Sequence, residues 1–441
     1  MKFEFHTEAG KSVVKAIVET EKEKQGFRAE GPYPLLKMVN NEVIFDYEIK
    51  SIHPDILALL CITCFYPYLD EFVTFPQPVS PKIEEAFGEN GVLKLHEVID
   101  GRYQQTNGIK VKNVDKLIPT YKGDKIAISF GGGMDSSALY KLFPEAVVIH
   151  EQTKLNDGEI QLEKTLETID LINKEGGQAF SFANNNRRGI SEPSGWPGWA
   201  ACTCNALLLS TDFNIGYIMT GSVLGSSFLS NGRKYFPGTD PLRKNKWIQA
   251  FELVGIPMFP PGGGLSEASN AIILHRTNFV NQAHWCFGDE GTNCHKCWKC
   301  FRRDTILYAI GTLDVTDDYW ERYNTDFIKN QLVKRPLYFA HIFSFTLRKL
   351  EHLPWLKPFI PYDVEDTSSW VCTNYSEAIN LVPEELRPLV SQRIGQFIKP
   401  MGDYAAVENW DYTHQTIDLQ NNKLKAKTTL KSFIKSLIGR K

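Results

Sequence analysis

Two short stretches of the chain concentrate residue types that can do chemistry. In IAISFGGGMDSSAL, Gly131, Gly132 and Gly133 stand between a short apolar run and a segment of helical character. Glycines let a backbone turn sharply and bring its N–H groups close to an anion. The helix that follows adds unpaired N–H groups and the positive end of its dipole. Ser136 and Ser137 supply hydroxyl donors in the first turn, and Asp135, the loop's one carboxylate, suits a metal ion bridging phosphates. The loop reads as a phosphate site, the alternative being a plain tight turn. No lysine follows the glycines, so it is not a G-x-x-x-x-G-K-[ST] loop, and Ser136 falls where G-x-G-x-x-G needs its last glycine.

The second stretch, HWCFGDEGTNCHKCWKCFRR, spaces Cys286, Cys294, Cys297 and Cys300 as C-x7-C-x2-C-x2-C. Four thiolates at this spacing close a tetrahedron around Zn²⁺ and leave no open position, which predicts a structural metal remote from chemistry. An iron–sulfur cluster or metal-free thiols are the alternatives, and His295 is a substitute ligand in reserve.

Other candidates carry less. Cys202 and Cys204 precede a helix, where a thiol pKa can fall; they read either as two partly buried thiols or as a sulfur-carrying pair. Cys61 and Cys64 lie inside the apolar run ILALLCITCFY and read as core thiols. His150 ends a strand and is the nearest histidine for contact with nucleotide or substrate.

The elements around these residues follow from periodicity. KIAISF, AVVIHEQ, GGQAFSF and GYIMTGS read as strands. SSALYKLF, an amphipathic run from Glu159 to Lys174, and CNALLLSTDF read as the helices between them. Strand–helix alternation predicts an α/β domain over 121–310, a doubly wound parallel sheet with the zinc knuckle at its end. Residues 1–120 read as an α+β domain, with a helix from Pro54 to Phe65 and another capped by Ser80 and begun by Pro81. Residues 311–441 read as helical, with Trp320, Trp355, Trp370 and Trp410 scattered through them and PWLKPFIPYDV as a connector.

The 441 residues are 42% hydrophobic and 23% charged, which excludes a long disordered chain, a coiled coil or a collagen-like repeat. No run reaches the ~18 apolar residues of a membrane span, and the opening MKFEFHTEAGKSVVK lacks a signal-peptide pattern. A soluble, cytoplasmic chain is the expectation. The net charge of −3 hides a tail from Asn422 to Lys441 with seven basic residues and no acid, which leaves the first 421 residues at −10. Leu430, Phe433, Ile434, Leu437 and Ile438 make one apolar stripe on this tail. It reads as a helix docked on its own domain, or as one touching an anionic membrane surface or a tRNA backbone.

The glycine loop resembles the pyrophosphate loop, Ser-Gly-Gly-x-Asp-Ser, of the N-type ATP pyrophosphatases. Gly132, Gly133, Met134, Asp135 and Ser136 match position by position, and Gly131 replaces the leading serine, with Ser129 two positions earlier as a substitute hydroxyl. Loop and knuckle together are similar to the 7-cyano-7-deazaguanine synthases over Lys125 to Arg303. The resemblance implies a HUP-type sheet and use of ATP and Mg²⁺. ATP would be split to AMP and pyrophosphate as an oxygen nucleophile is adenylated, and a nitrogen nucleophile would then displace AMP. It assigns Asp135 to Mg²⁺, Ser136 and the Gly132 and Gly133 amides to the departing pyrophosphate, and Gly221 to the nucleotide's approach.

The sequence departs from that family where substrate is handled. Trp196-Pro197-Gly198-Trp199-Ala200 lacks the family's Arg-Asn, Phe236-Pro237-Gly238-Thr239-Asp240 with Arg243 only loosely echoes Tyr-Pro-Asp-Cys-Arg, and Leu265-Ser266-Glu267 has glutamate for lysine. An enlarged relative with a changed acceptor is therefore expected: a deazaguanine-like or other small carboxylate, or a protein, with a homodimer open and tRNA not favoured. Two other readings stand beside it, a tRNA or small-molecule sulfurtransferase using Cys202 and Cys204, and a catalytically inactive nucleotide-binding scaffold.

Overall fold

A computed structural model of the chain describes residues 1–27, 35–94, 96–99, 102–105, 108–152, 163–195, 198–237, 244–284, 286, 293–361 and 366–413. Trp196, Pro197, Gly238, Thr239, Asp240, Arg243 and the basic tail lie outside the described residues, as do the first residues of the expected Glu159–Lys174 helix.

The N-terminal region opens with strands β1 (Lys2–Glu8) and β2 (Lys11–Ile17), and β3 (Glu42–Phe45) pairs antiparallel with β2. Helix α1 (Pro54–Phe65) is buried at every position after Pro54, so its continuous apolar run is a core helix rather than an amphipathic one. Its first turn is fixed by His53, whose side chain accepts from the Asp55 N–H at 3.2 Å. Helix α2 (Pro81–Phe87) starts at Ser80 and Pro81 as the sequence predicts, with Ser80 Oγ accepting from the Lys82 N–H.

The middle region builds a five-stranded parallel sheet. In chain order its elements are β4 (Lys125–Ser129), α3 (Met134–Leu142), β5 (Val147–Gln152), α4 (Glu163–Lys174), β6 (Ala179–Ala183), α5 (Cys204–Phe213), β7 (Ile215–Met219), α6 (Lys244–Val254) and β8 (Met258–Phe259). The strands lie side by side as β6-β5-β4-β7-β8. The chain thus runs outward from β4 in one direction, returns, and runs outward in the other. The reversal leaves a crevice at the carboxyl ends of β4 and β7, the place where ligands bind in open α/β sheets.

Successive strand residues point to opposite faces and enter two separate cores. Ile128, Val148, Met219 and Phe259 join one, with α3 and α4; Ala127, Val147, Ile149, Ile218 and Met258 join the other, with α5 and α6. The second core also contains most of the N-terminal region, and α1 packs on α5 and α2 on α6. The short strand Ser191–Glu192 pairs with Leu35–Met38, joining the two regions through backbone as well. The first core continues into the C-terminal residues as far as Tyr412 and includes the buried Trp320, Trp370 and Trp410. Position 120 and position 310 therefore mark changes of pattern but not of core: each flanking region covers one face of the sheet. No helix among the described residues is long and apolar enough to cross a membrane.

Candidate functional site

The glycine loop leaves β4 at the crevice. Gly132 has φ +70°, a left-handed conformation that favours glycine, and a Cβ there would collide with Thr165 Oγ1 and, at 2.5 Å, with His284 Nε2. Its carbonyl accepts from the His284 N–H at 2.9 Å. Gly131 is different: a Cβ there would meet nothing within 4 Å. The serine that the resemblance expects at this position is missing although there is room for it. Gly133 is the N-cap of α3, no side chain caps the helix, and the first turn presents Met134, Asp135 and Ser136. The Met134 side chain is buried in the core, so the backbone is what this residue can offer a ligand.

The strands on either side bring up their own ends. A Cβ on Gly221, two residues past β7, would lie 3.4 Å from the Ser136 nitrogen and 3.5 Å from Asp135 Cβ. Gly221, Asp135 and Ser136 are thus brought together, as the sequence predicts. On the other side His150 is buried. The Phe130 carbonyl can only accept, so the imidazole donates to it from Nδ1 at 2.8 Å, which leaves Nε2 as a buried acceptor with no partner. Burial holds this imidazole below its ordinary pKa. His284 bonds Thr165 Oγ1 and is pulled down to about 4, chiefly by burial, with the nearby Lys299 and Arg303 charges adding to the effect. The loop is therefore braced by two uncharged histidines. Ser129 does not stand in for the absent serine: its hydroxyl donates to the Cys202 carbonyl at 2.7 Å. Ser136 Oγ reaches only the Gly133 carbonyl at 3.3 Å, and Ser137 Oγ is buried without a partner.

The carboxylate of Asp135 has a neighbour that motif reasoning missed. Helix α7 (Glu267–Arg276) is capped by Ser266, whose Oγ accepts from the Ala268 and Ser269 N–H groups and donates to the Val371 carbonyl. Its first turn directs Glu267 and Asn270 at Asp135. Asn270 Nδ2 donates to Asp135 Oδ1 at 2.8 Å, while Asn270 Oδ1 and Glu267 Oε2 are buried without partners. Burial first, and the Glu267 charge second, push the Asp135 carboxyl up to about 7, against the pull of Asn270 and Arg302. The Ser-Glu pair at the start of a helical run, with Asn three positions on, was the available signal. It specifies a capped helix but not what the helix faces.

The four cysteines converge as expected. Their sulfurs all lie within 4.8 Å of one another, and Cys294 and Cys300 are 3.8 Å apart. A tetrahedron with Zn–S near ~2.3 Å has sulfurs ~3.8 Å apart, so the set fits Zn²⁺. Helix α8 (Trp298–Ala309) grows out of the cluster. Cys297 is its N-cap and accepts from the Cys300 N–H, and its thiol is held well below the ordinary range, chiefly by the Cys300 thiol. His295 is not drawn into the set, because its Nδ1 faces Asp304 Oδ2 at 3.2 Å. The helix also carries Arg302 to Glu267 Oε1 at 2.8 Å, with the guanidinium 3.6 Å from the centre of the Phe339 ring. The cysteine cluster therefore lies two residues from a side chain that touches the Asp135 cluster.

Of the remaining cysteines, three are core thiols and two, Cys202 and Cys372, are half-buried. Cys61, Cys64 and Cys204 are fully buried, and Cys64 and Cys204 are 3.6 Å apart where α1 crosses α5. Burial, reinforced by the Glu151 charge, pushes the Cys202 thiol up to about 12. Of the two readings of this pair, the burial fits partly buried thiols.

Residues 246–411 match the model of a family of unknown function, DUF6395. No curated protein matches the chain. The matched segment runs from within α6 to the end of the C-terminal cover. It contains the four cysteines, Glu267, Asn270 and Arg302, and leaves the glycine loop outside.

Proposed function

We propose that this chain is an ATP-dependent adenylating enzyme of the pyrophosphatase-loop type, splitting ATP to AMP and pyrophosphate while it activates a carboxylate or equivalent oxygen. The observation that carries the reading is the position of the glycine loop. It lies at the strand-order reversal, ends in the uncapped N-terminus of α3, and has Gly221 of the neighbouring strand end against the Ser136 nitrogen. In this reading the N–H groups of the α3 first turn bind the pyrophosphate oxygens, and Ser136 turns its hydroxyl from the Gly133 carbonyl to them. The absence of a side chain at Gly221 keeps the Ser136 N–H accessible. His150 and His284, both uncharged, hold the loop without drawing its phosphates out of register.

A divalent cation fits the same cluster. Asp135, with Glu267 Oε2 and Asn270 Oδ1 as buried oxygens lacking partners, offers the hard oxygen donors that Mg²⁺ prefers. When bound, the ion supplies positive charge to the phosphates. Zn²⁺ in the cysteine cluster has a structural role.

The test is to incubate the protein with ATP, Mg²⁺, ammonia and 7-carboxy-7-deazaguanine, or other small carboxylates, and to separate the nucleotides. AMP with pyrophosphate is expected; ADP as the main product overturns the assignment. A second reading, a nucleotide-binding scaffold without turnover, is favoured by one observation: Glu267 puts a second carboxylate beside Asp135 where the related enzymes carry a lysine. It predicts ATP binding without AMP formation for any acceptor. The half-buried Cys202, its thiol pushed up by burial, and the fully buried Cys204 argue against the sulfurtransferase alternative.

A further inference from the structure

A second cavity lies away from the glycine loop, where the C-terminal cover meets the chain beyond β7. It encloses about 360 Å³ and its walls include Phe228, Tyr235, Tyr375 and Tyr404, with Glu377 and Glu408. Three segments far apart in sequence build it, and each is fixed by backbone. The Tyr375 N–H donates to the Gly264 carbonyl at 2.9 Å, and a Cβ on Gly264 would run into the Tyr375 carbonyl, so the glycine permits this approach. The Tyr235 N–H donates to the Trp410 carbonyl at 2.9 Å.

The rings form a box around Tyr375. Phe228 and Tyr235 are near parallel, at 10° with centroids 6.5 Å apart, and both stand steeply to Tyr375, at 71° and 82°. Tyr404 stands at 70° to it with centroids 5.2 Å apart. The polar atoms are ordered by elimination. Glu408 can only accept, so Tyr375 donates to its Oε1 at 3.0 Å. Tyr235, whose hydroxyl is 3.0 Å from that of Tyr375, must then donate to the Tyr375 oxygen. The chain of hydrogen bonds ends on a carboxylate. Glu377 adds a second one, and no lysine, arginine or histidine is among the described residues that line the cavity. Aromatic faces and carboxylates present negative potential together.

We propose that this cavity is a binding site for a small organic monocation of the ammonium or guanidinium class. A phosphate or a carboxylate would meet two glutamates and, among the described lining residues, no compensating cation, and an inorganic cation would not use the rings. The proposal does not depend on the ATP reading, since none of these residues belongs to the glycine-loop cluster.

The experiment uses the full chain and three probes: choline, methylguanidinium, and 3,3-dimethyl-1-butanol, which is the uncharged isostere of choline. Calorimetry or ligand-observed NMR should show saturable binding of at least one cation. The isostere should bind about tenfold or more weakly, because a desolvated cation–π contact and a carboxylate both act on charge alone. Tyr404→Ala and Glu408→Gln should each weaken the cation and leave ATP binding unchanged. If Tyr404→Ala fails to fold, the exposed pair Glu377→Gln and Glu408→Gln serves in its place. Equal affinity for cation and isostere, no saturable binding of either cation, or full binding retained in the variants would each overturn the proposal.

Discussion

The guanidinium of Arg302 lies 2.8 Å from Glu267 Oε1, two residues beyond the last cysteine of the four-cysteine cluster. Through Glu267 it faces Asp135, so a single helix connects the cysteine cluster to the carboxylate of the glycine loop. Both partners are mostly buried, at 16% and 8% side-chain exposure, and the pair is a structural link rather than a surface decoration.

Arg302→Ala should therefore destabilise more than an ordinary surface change. Removing one partner of a buried pair leaves the other charge uncompensated, at a cost of roughly 3–5 kcal/mol. The double variant Arg302→Met with Glu267→Gln should recover most of that loss, because it removes both charges together. Urea unfolding of the two variants and the parent checks this. A double variant no more stable than Arg302→Ala would mean that the pair does not act as a unit.

Metal removal should act on the same link. Elemental analysis is expected to give about one zinc per chain and little iron. Structural zinc of this kind contributes on the order of 10–16 kcal/mol. A strong chelator should therefore lower the melting temperature and weaken ATP binding in the same titration, since α8 begins at the cluster. A brown protein rich in iron would overturn the zinc assignment.

The loop glycines should separate by role. Gly132→Ala should destabilise by about 1–3 kcal/mol, since a side chain at φ +70° is strained and has no room. Gly131→Ser should leave stability unchanged and tighten ATP binding by restoring a hydroxyl in open space. Gly221→Ala adds a methyl at ordinary contact distance, 3.4 Å from the Ser136 nitrogen, and should weaken ATP binding while leaving the fold intact. Melting curves read beside nucleotide titrations distinguish the three.

Acidity should report Asp135. Its carboxyl is raised from 3.8 to about 7 in the folded chain, so between those values the folded state binds the extra proton. Stability then falls as pH rises through that window, and the loss is complete above about pH 7. His284, held near 4, contributes the opposite slope below its unfolded value of 6.5. Asp135→Asn should remove the first slope alone, so the variant gains on the parent between about pH 4 and pH 7. Mg²⁺ should narrow that gap by stabilising the ionised parent. A gap independent of pH would show that Asp135 titrates normally.

Much of the fold could be read from the sequence where one periodicity dominated. The runs at Pro54–Phe65 and Cys204–Phe213 are helices with those bounds, and the expected strands KIAISF and AVVIHEQ match to within one residue at each end. Strand β8, Met258–Phe259, was missed because two residues carry no period. The cysteine cluster was legible because metal-ligand spacing is local. The Asp135–Glu267–Asn270–Arg302 cluster was not, because it joins three helices distant in the chain and its members follow no fixed spacing. The burial of Cys61 and Cys64 was legible in their apolar run, whereas the packing of α1 on α5 that brings Cys64 to Cys204 is tertiary.

The division of the sheet's two faces between the N- and C-terminal regions sets an order of assembly. On a ribosome, the face covered by α1, α2, α5 and α6 has all its apolar residues once β8 has emerged. The opposite face, which carries α3 and the loop, waits for residues up to Tyr412. A nascent chain halted near the cysteine cluster would hold a half-clad sheet, with the glycine loop formed on its bare side. The site that would bind ATP is thus among the last parts of the molecule to become enclosed.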